Sequence, residues 1–189
     1  MSDVTARSIN GIELPPAGPY AFDQAHTTLG FVARHMLSKV HGRFTAFDGQ
    51  VKIADAVQDS SVHVEIKVDS ITTDNEGRDG HLRSADFFEV ETYPTLSFNS
   101  TAFRPGMGKA FELDGDLTVK GVTKPVTLTG EFLGWGPGMR EGTIASFTAA
   151  TSIDREDFDL TWNVAVETGG WLVGKKIDIV IDADLVLED

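Results

Sequence analysis

The strictest constraint on this chain is a period of two near its C-terminal end. Ile177, Ile179, Ile181, Ala183, Leu185 and Leu187 alternate with Lys176, Asp178, Asp182, Asp184 and Glu188, and only Val180 and Val186 put apolar side chains on the polar face. Successive side chains of a strand point to opposite faces, so this pattern predicts one long strand with a buried face and a wet face. Fully extended, the run spans roughly 40 Å, long for a globular sheet. The alternation recurs at Val62, Val64, Ile66 and Val68 against His63, Glu65, Lys67 and Asp69, and from Leu96 and Phe98 on to Phe103. Further strands are predicted over residues 26–35, 42–54, 110–118, 124–135 and 140–153, about eight in all.

Asp48-Gly49, Asp114-Gly115 and Gly134-Trp135-Gly136-Pro137-Gly138 read as short turns between sequential strands, which fits antiparallel meander pairing. Eight long strands avoid raw edges most simply by closing on themselves. The expected fold is therefore all-β, an extended eight-stranded antiparallel up-and-down barrel with short helical caps. The caps come from two segments without alternation, residues 74–90, where Asp and Ser suit helix starts, and residues 155–174, which contain Trp162 and Trp171. Residues 1–19, with Asn10-Gly11 and Pro15-Pro16-Ala17-Gly18-Pro19, read as a flexible lead-in to one domain over residues 20–189.

Composition narrows the function. Without cysteine, thiolate catalysis and thiolate metal sites are excluded. A formal charge of -13 repels phosphate and anionic lipid, so neither nucleic-acid binding nor stable membrane insertion is expected. Residues 1–20 lack the pattern of a secretory signal and no apolar run is long enough for a transmembrane helix, which makes a cytoplasmic location the expectation. His26, His35, His41, His63 and His81 lack the spacing of metal ligands on a strand or helix, so no metal site is expected. No nucleophile elbow, phosphate-binding loop or dinucleotide fingerprint is present, and no catalytic residue or cofactor is assigned.

Two features point somewhere positive. Arg78, Asp79, His81 and Arg83 stand in a non-strand segment directly before Phe87 and Phe88, a grouping suited to a polar or anionic headgroup at the mouth of an apolar cavity. The competing reading is an internal ion pair of Arg78 or Arg83 with Asp79, Asp86 or Glu89. In addition, twelve phenylalanines against two tyrosines weight the aromatic content toward the type without a polar handle, so these rings line something dry. Composition does not separate a filled barrel from a hollow one.

Several motifs, in order and spacing, resemble a known family. They are Tyr20-Ala21-Phe22-Asp23-Gln24-Ala25-His26-Thr27, Gly30-Phe31-Val32-Ala33-Arg34-His35, Gly42-Arg43-Phe44, Phe47-Asp48-Gly49 and Asp69-Ser70-Ile71-Thr72-Thr73. Arg78-Asp79-Gly80-His81-Leu82, Asp86-Phe87-Phe88, Tyr93-Pro94 and the stretch from Gly115-Asp116-Leu117 to Lys124-Pro125-Val126 follow. Together they resemble the YceI-like proteins, a lipocalin-like group of polyisoprenoid-binding proteins. The resemblance implies a barrel whose tunnel holds a long isoprenoid lipid, such as a prenyl quinone or a polyprenyl phosphate, which is bound, carried or stored rather than transformed. On that footing Phe22, Phe31, Phe44, Phe98 and Trp162 are candidate wall residues, and His35, Arg78 and His81 candidate polar contacts near the opening.

Two other classes compete with that reading. One is a small barrel isomerase, cyclase or hydrolase acting on a hydrophobic substrate, with His35 or His81 as acid or base beside a buried carboxylate such as Asp79. The other is a filled barrel acting as an interaction module, a homodimer formed through an outer apolar strip.

Overall fold

A computed structural model describes residues 7–138, 142–167 and 169–188. Residues 1–6 of the expected lead-in and the first two residues of the strand expected over 140–153 lie outside the described residues. Among the described residues there are thirteen strands and one α-helix. The long ones carry the clearest alternation: β9 (Thr95–Pro105), β10 (Ala110–Val119), β11 (Val122–Pro137), β12 (Thr143–Asp154) and β13 (Val173–Leu187).

The sheet closes into the expected antiparallel barrel. β9 to β13 pair with one another in chain order, and β7 (Ser61–Lys67) pairs with β9. The remaining ring positions are each filled by two strands end to end. β13 pairs with β3 (Gly18–Phe22) through Leu185–Leu187 and with β4 (Thr28–His35) through Val173–Asp182. β5 (Ser38–Phe44) then pairs with β4 and β6 (Phe47–Ile53) with β3, while β8 (Ile71–Thr72) and β7 pair with β5 and β6. Eight ring positions result, each next to its neighbours in sequence, and none is left as a long edge.

Three differences from the sequence reading have local causes. The single strand expected over 42–54 is broken at Thr45, whose N–H donates to the Ser70 carbonyl at 3.3 Å instead of continuing the ladder. The strand expected from residue 26 starts at Thr28, because residues 23–27 form a turn in which Asp23 accepts the N–H groups of Ala25 and Thr27. The third difference concerns the glycines read as turns. Asp48-Gly49 sits inside β6, and Asp114-Gly115 and Gly134 mark β-bulges inside β10 and β11. Within a strand, glycine marks a bulge or a close approach as readily as a reversal. The reversals fall elsewhere, for example at Lys120-Gly121, where both residues have positive φ.

Residues Arg7–Ile9 (β1) and Ile12–Leu14 (β2), expected to belong to a flexible lead-in, form a hairpin. Asn10 (φ 51°) and Gly11 (φ 79°) supply the two left-handed residues that a tight two-residue hairpin turn requires. The hairpin lies across one end of the barrel. Arg7 fastens it there, donating to the carbonyls of Pro15 at 3.1 Å and Asp55 at 2.9 Å. The opposite end carries α1 (Glu76–Arg83), inside the segment expected to cap, and 3-10 turns at Val68–Ser70 and Arg155–Phe158.

Candidate functional site

A cavity of about 610 Å³ runs along the barrel interior, from Ile9, Ile12 and Leu14 of the hairpin to His81, Phe87 and Trp162 at the helix end. Its wall is overwhelmingly apolar, and ten of the twelve phenylalanines lie on it. The barrel is hollow, because several of those rings lie flat on glycines of the neighbouring strand. Phe31 is directly opposite Gly42 and Phe111 directly opposite Gly130, while Phe98 crosses Gly115. A Cβ on Gly42 would stand 2.3 Å from the Phe31 ring, so the ring occupies the place a side chain would otherwise take. Seated against the sheet in this way, the rings supply apolar surface without reaching across the axis.

All eight residues singled out from sequence, Phe22, Phe31, His35, Phe44, Arg78, His81, Phe98 and Trp162, line this one cavity. The phenylalanines are spread along it, with Phe31 packing on Phe44 at 5.9 Å between ring centroids. Arg78, His81 and Trp162 gather at the helix end, and His35 stands on the β4–β5 hairpin at the same rim. The His81 ring meets Trp162 edge-on at 4.5 Å and Phe87 at 5.1 Å. Its Nε2 is 2.8 Å from Oδ2 of Asp86, both side chains being partly exposed.

The charged residues of α1 hold the helix in place. Eight residues containing two glycines do not sustain a helix alone, each glycine costing about 1 kcal/mol relative to alanine. Asn75 caps it by accepting the Arg78 N–H at 2.9 Å. Arg78 donates from Nε to the Thr73 hydroxyl at 2.7 Å and from Nη2 to the Thr73 carbonyl at 3.0 Å, and Arg83 donates to the carbonyls of Asp69 and Ile71. Among the described residues neither arginine is within ion-pairing distance of a carboxylate. Asp79, which is buried, accepts both the Thr73 N–H at 2.8 Å and the Thr73 hydroxyl. Burial pushes its carboxyl up, but the Thr73 and Thr72 hydrogen bonds, aided by the Arg83 charge, outweigh that and hold it below the usual carboxylate range.

A carboxyl held low in the folded protein contributes stability that is present above its unfolded pKa, about 3.9, and is lost as pH falls through the folded value. Asp79→Ala should therefore cost about 2 kcal/mol at neutral pH, since two donors on Thr73 lose their acceptor. The difference between wild type and variant should shrink as pH is lowered below 4 in urea titrations, whereas a difference that does not change with pH would contradict this role.

Among the cavity residues that sequence reasoning did not single out, Arg155 is the most deeply buried charged one. Arg155 is 2% exposed and donates to main-chain carbonyls: Nε to Gly174 at 3.0 Å, Nη1 to Trp162 at 3.0 Å and to Leu160, and Nη2 to Val173 at 3.4 Å. Burial lowers its pKa. It pins the irregular segment that carries Trp162 against the start of β13. Among the described residues, no three His, Asp or Glu side chains come together as metal ligands would.

Comparison with known proteins finds the family model described as YceI-like domain matching residues 20–185. A UPF0312 protein of Staphylococcus aureus is 33% identical over 175 residues, covering 90% of this chain and 98% of the relative. Among solved structures, BcnA of Burkholderia cenocepacia aligns with a TM-score of 0.74 at 25% identity, covering 86% of this chain and 98% of that one. A polyisoprenoid-binding domain from Saccharophagus degradans, implicated in plant cell wall breakdown, has the same fold, with a TM-score of 0.65 at 14% identity over 91% of this chain and 99% of that one.

Proposed function

The chain belongs to the YceI-like family, and from that premise we propose that it binds a long-chain isoprenoid lipid, of the prenyl quinone or polyprenyl type, and carries or stores it in the barrel bore. The single observation that supports this most is the continuous apolar cavity of about 610 Å³, kept open by glycine-seated phenylalanines. A tail burying roughly 400 Å² of apolar surface gains on the order of 10 kcal/mol at about 25 cal/mol per Å². After the loss of chain freedom is subtracted, micromolar binding is within reach without a hydrogen bond. The headgroup belongs at the helix end, beside His35, Arg78 and His81.

Binding is favoured over turnover because the buried carboxylate beside the helix, Asp79, is engaged by Thr73 and not by a histidine. Both oxygen-directed donors of Thr73 go to Asp79, the partner of His81 is the partly exposed Asp86, and among the described residues no carboxylate is within ion-pairing distance of His35. The test is uptake of a long prenyl quinone and a polyprenyl phosphate by purified protein, with native mass spectra of extracted and unextracted samples. Saturable one-to-one uptake is expected, weakening as the tail is shortened. Empty spectra together with no uptake of either probe would remove the proposal.

A further inference from the structure

Among the described residues, four of the seven exposed large hydrophobic ones, Met36, Leu37, Val164 and Trp171, occur at one place, the rim of the helix end. Leu37 is 99% and Trp171 63% exposed. They are one connected surface: the Met36 N–H donates to the Leu172 carbonyl at 2.8 Å, the Leu172 N–H to the Val164 carbonyl at 2.9 Å, and Trp171 bridges to Ala165. Met36 has φ 54°, a left-handed conformation that bulky side chains rarely adopt. The conformation does not call for apolar side chains, since Glu89 and Lys120 hold it elsewhere in the chain, yet here it carries a methionine with a fully exposed leucine next to it.

The charges around this rim are mixed, with Asp154 opposite Lys176, and lack the acidic excess of the molecule as a whole. Arg34 and Lys39 face each other across β4–β5, both exposed, and among the described residues neither is within ion-pairing distance of a carboxylate. Lys175 and Lys176 begin the adjoining strand, held by Glu156 and Asp178, and Glu167 stands on the neighbouring loop. Two cations without an ion-pair partner, set beside tips as exposed and apolar as Leu37 and Trp171, match an anionic bilayer, which offers negative headgroups directly above an apolar layer. The rim is also continuous with the bore, since Arg34, His35 and Leu172 line the cavity next to these tips.

We propose that this rim docks the barrel on an anionic bilayer, with Met36, Leu37 and Trp171 entering the headgroup boundary, so that a lipid tail passes between membrane and bore without crossing water. The proposal rests on the isoprenoid-binding reading above and names where loading occurs. Overall charge would keep the protein off such a surface; the local cations and apolar tips reverse that at one end, giving reversible docking without a membrane span.

The test measures vesicle association and lipid uptake separately. Wild type should sediment with phosphatidylcholine–phosphatidylglycerol vesicles, with a blue shift of tryptophan emission, and much less with phosphatidylcholine alone. The double variant Leu37→Ser, Trp171→Ser should lose roughly tenfold or more of that association, while taking up a detergent-presented prenyl quinone as wild type does. Arg34→Gln with Lys39→Gln should weaken association only with the anionic vesicles. Unchanged association of the apolar variant, or capture of a protein at this rim with no vesicle association, overturns the docking proposal. Vesicle association without quinone uptake would instead overturn the lipid-binding reading and leave docking in place.

Discussion

Arg155→Met should lower the free energy of unfolding by about 3 kcal/mol and detach Trp162 from the cavity wall. The side chain is buried, and its acceptors are carbonyls from two separate segments, Leu160 and Trp162 on one side and Val173 and Gly174 on the other. Removing a donor from a buried acceptor costs about 1–3 kcal/mol, and four acceptors are affected here. Methionine returns part of that by avoiding the desolvation of a guanidinium, which already depresses the Arg155 pKa, so the net lies well below the sum. Loss of the anchor also frees the segment that sets Trp162 against His81 and Phe87. The measurement is a urea transition followed by tryptophan emission, with Arg155→Lys as the comparison. An ammonium is a compact donor and does not fork to both segments as guanidinium does, so lysine should recover only part of the loss. A cost under 1 kcal/mol for methionine would show that water replaces the guanidinium.

Gly42→Ala should leave the barrel folded and close its bore. In the register of β4 and β5 the added methyl coincides with the Phe31 ring, and the nearest atoms it meets all belong to that ring. A side chain yields more readily than a backbone, so Phe31 turns off the wall toward the cavity axis, beside Phe44. Affinity for a long prenyl quinone should fall roughly tenfold or more, equivalent to about 1.4 kcal/mol, with less loss for a short tail that stops before the constriction. The thermal midpoint should move by only a few degrees, within about 1 kcal/mol. Gly115 and Gly130 are poorer test sites, because there a Cβ would also meet the carbonyls of Asn99 at 2.6 Å and Thr148 at 2.4 Å, and the sheet itself would shift. Unaltered quinone binding by Gly42→Ala would mean that the ligand does not thread past Phe31.

The barrel was legible in the sequence because alternation reports directly on a sheet with one dry face, and β9 to β13 follow it closely. What alternation does not report is pairing across strands. Gly42, Gly115 and Gly130 carry no sign in one dimension that a ring lies over each of them, so a hollow barrel and a filled one looked alike. The candidate wall residues could be named on the family resemblance, and Arg78 and His81 because they gather in a segment without alternation directly before Phe87 and Phe88. Arg155 gave no such signal: it stands among Asp154, Glu156 and Asp157, where an arginine looks like ordinary surface charge. β1 and β3 escaped notice since the prolines around them suggest a stiff arm, yet Pro19 sits within β3 opposite Lys52.

The two ends of the barrel are built differently. The family model matches from residue 20, and the floor opposite the helix is made by Ile9, Ile12 and Leu14 of the preceding hairpin, fastened by Arg7. A tail threaded from the rim would therefore be measured against an end stop that is not part of the ring. Exchanging those three side chains for bulkier or smaller ones would alter the length of the ruler while every rung of the sheet stays as it is.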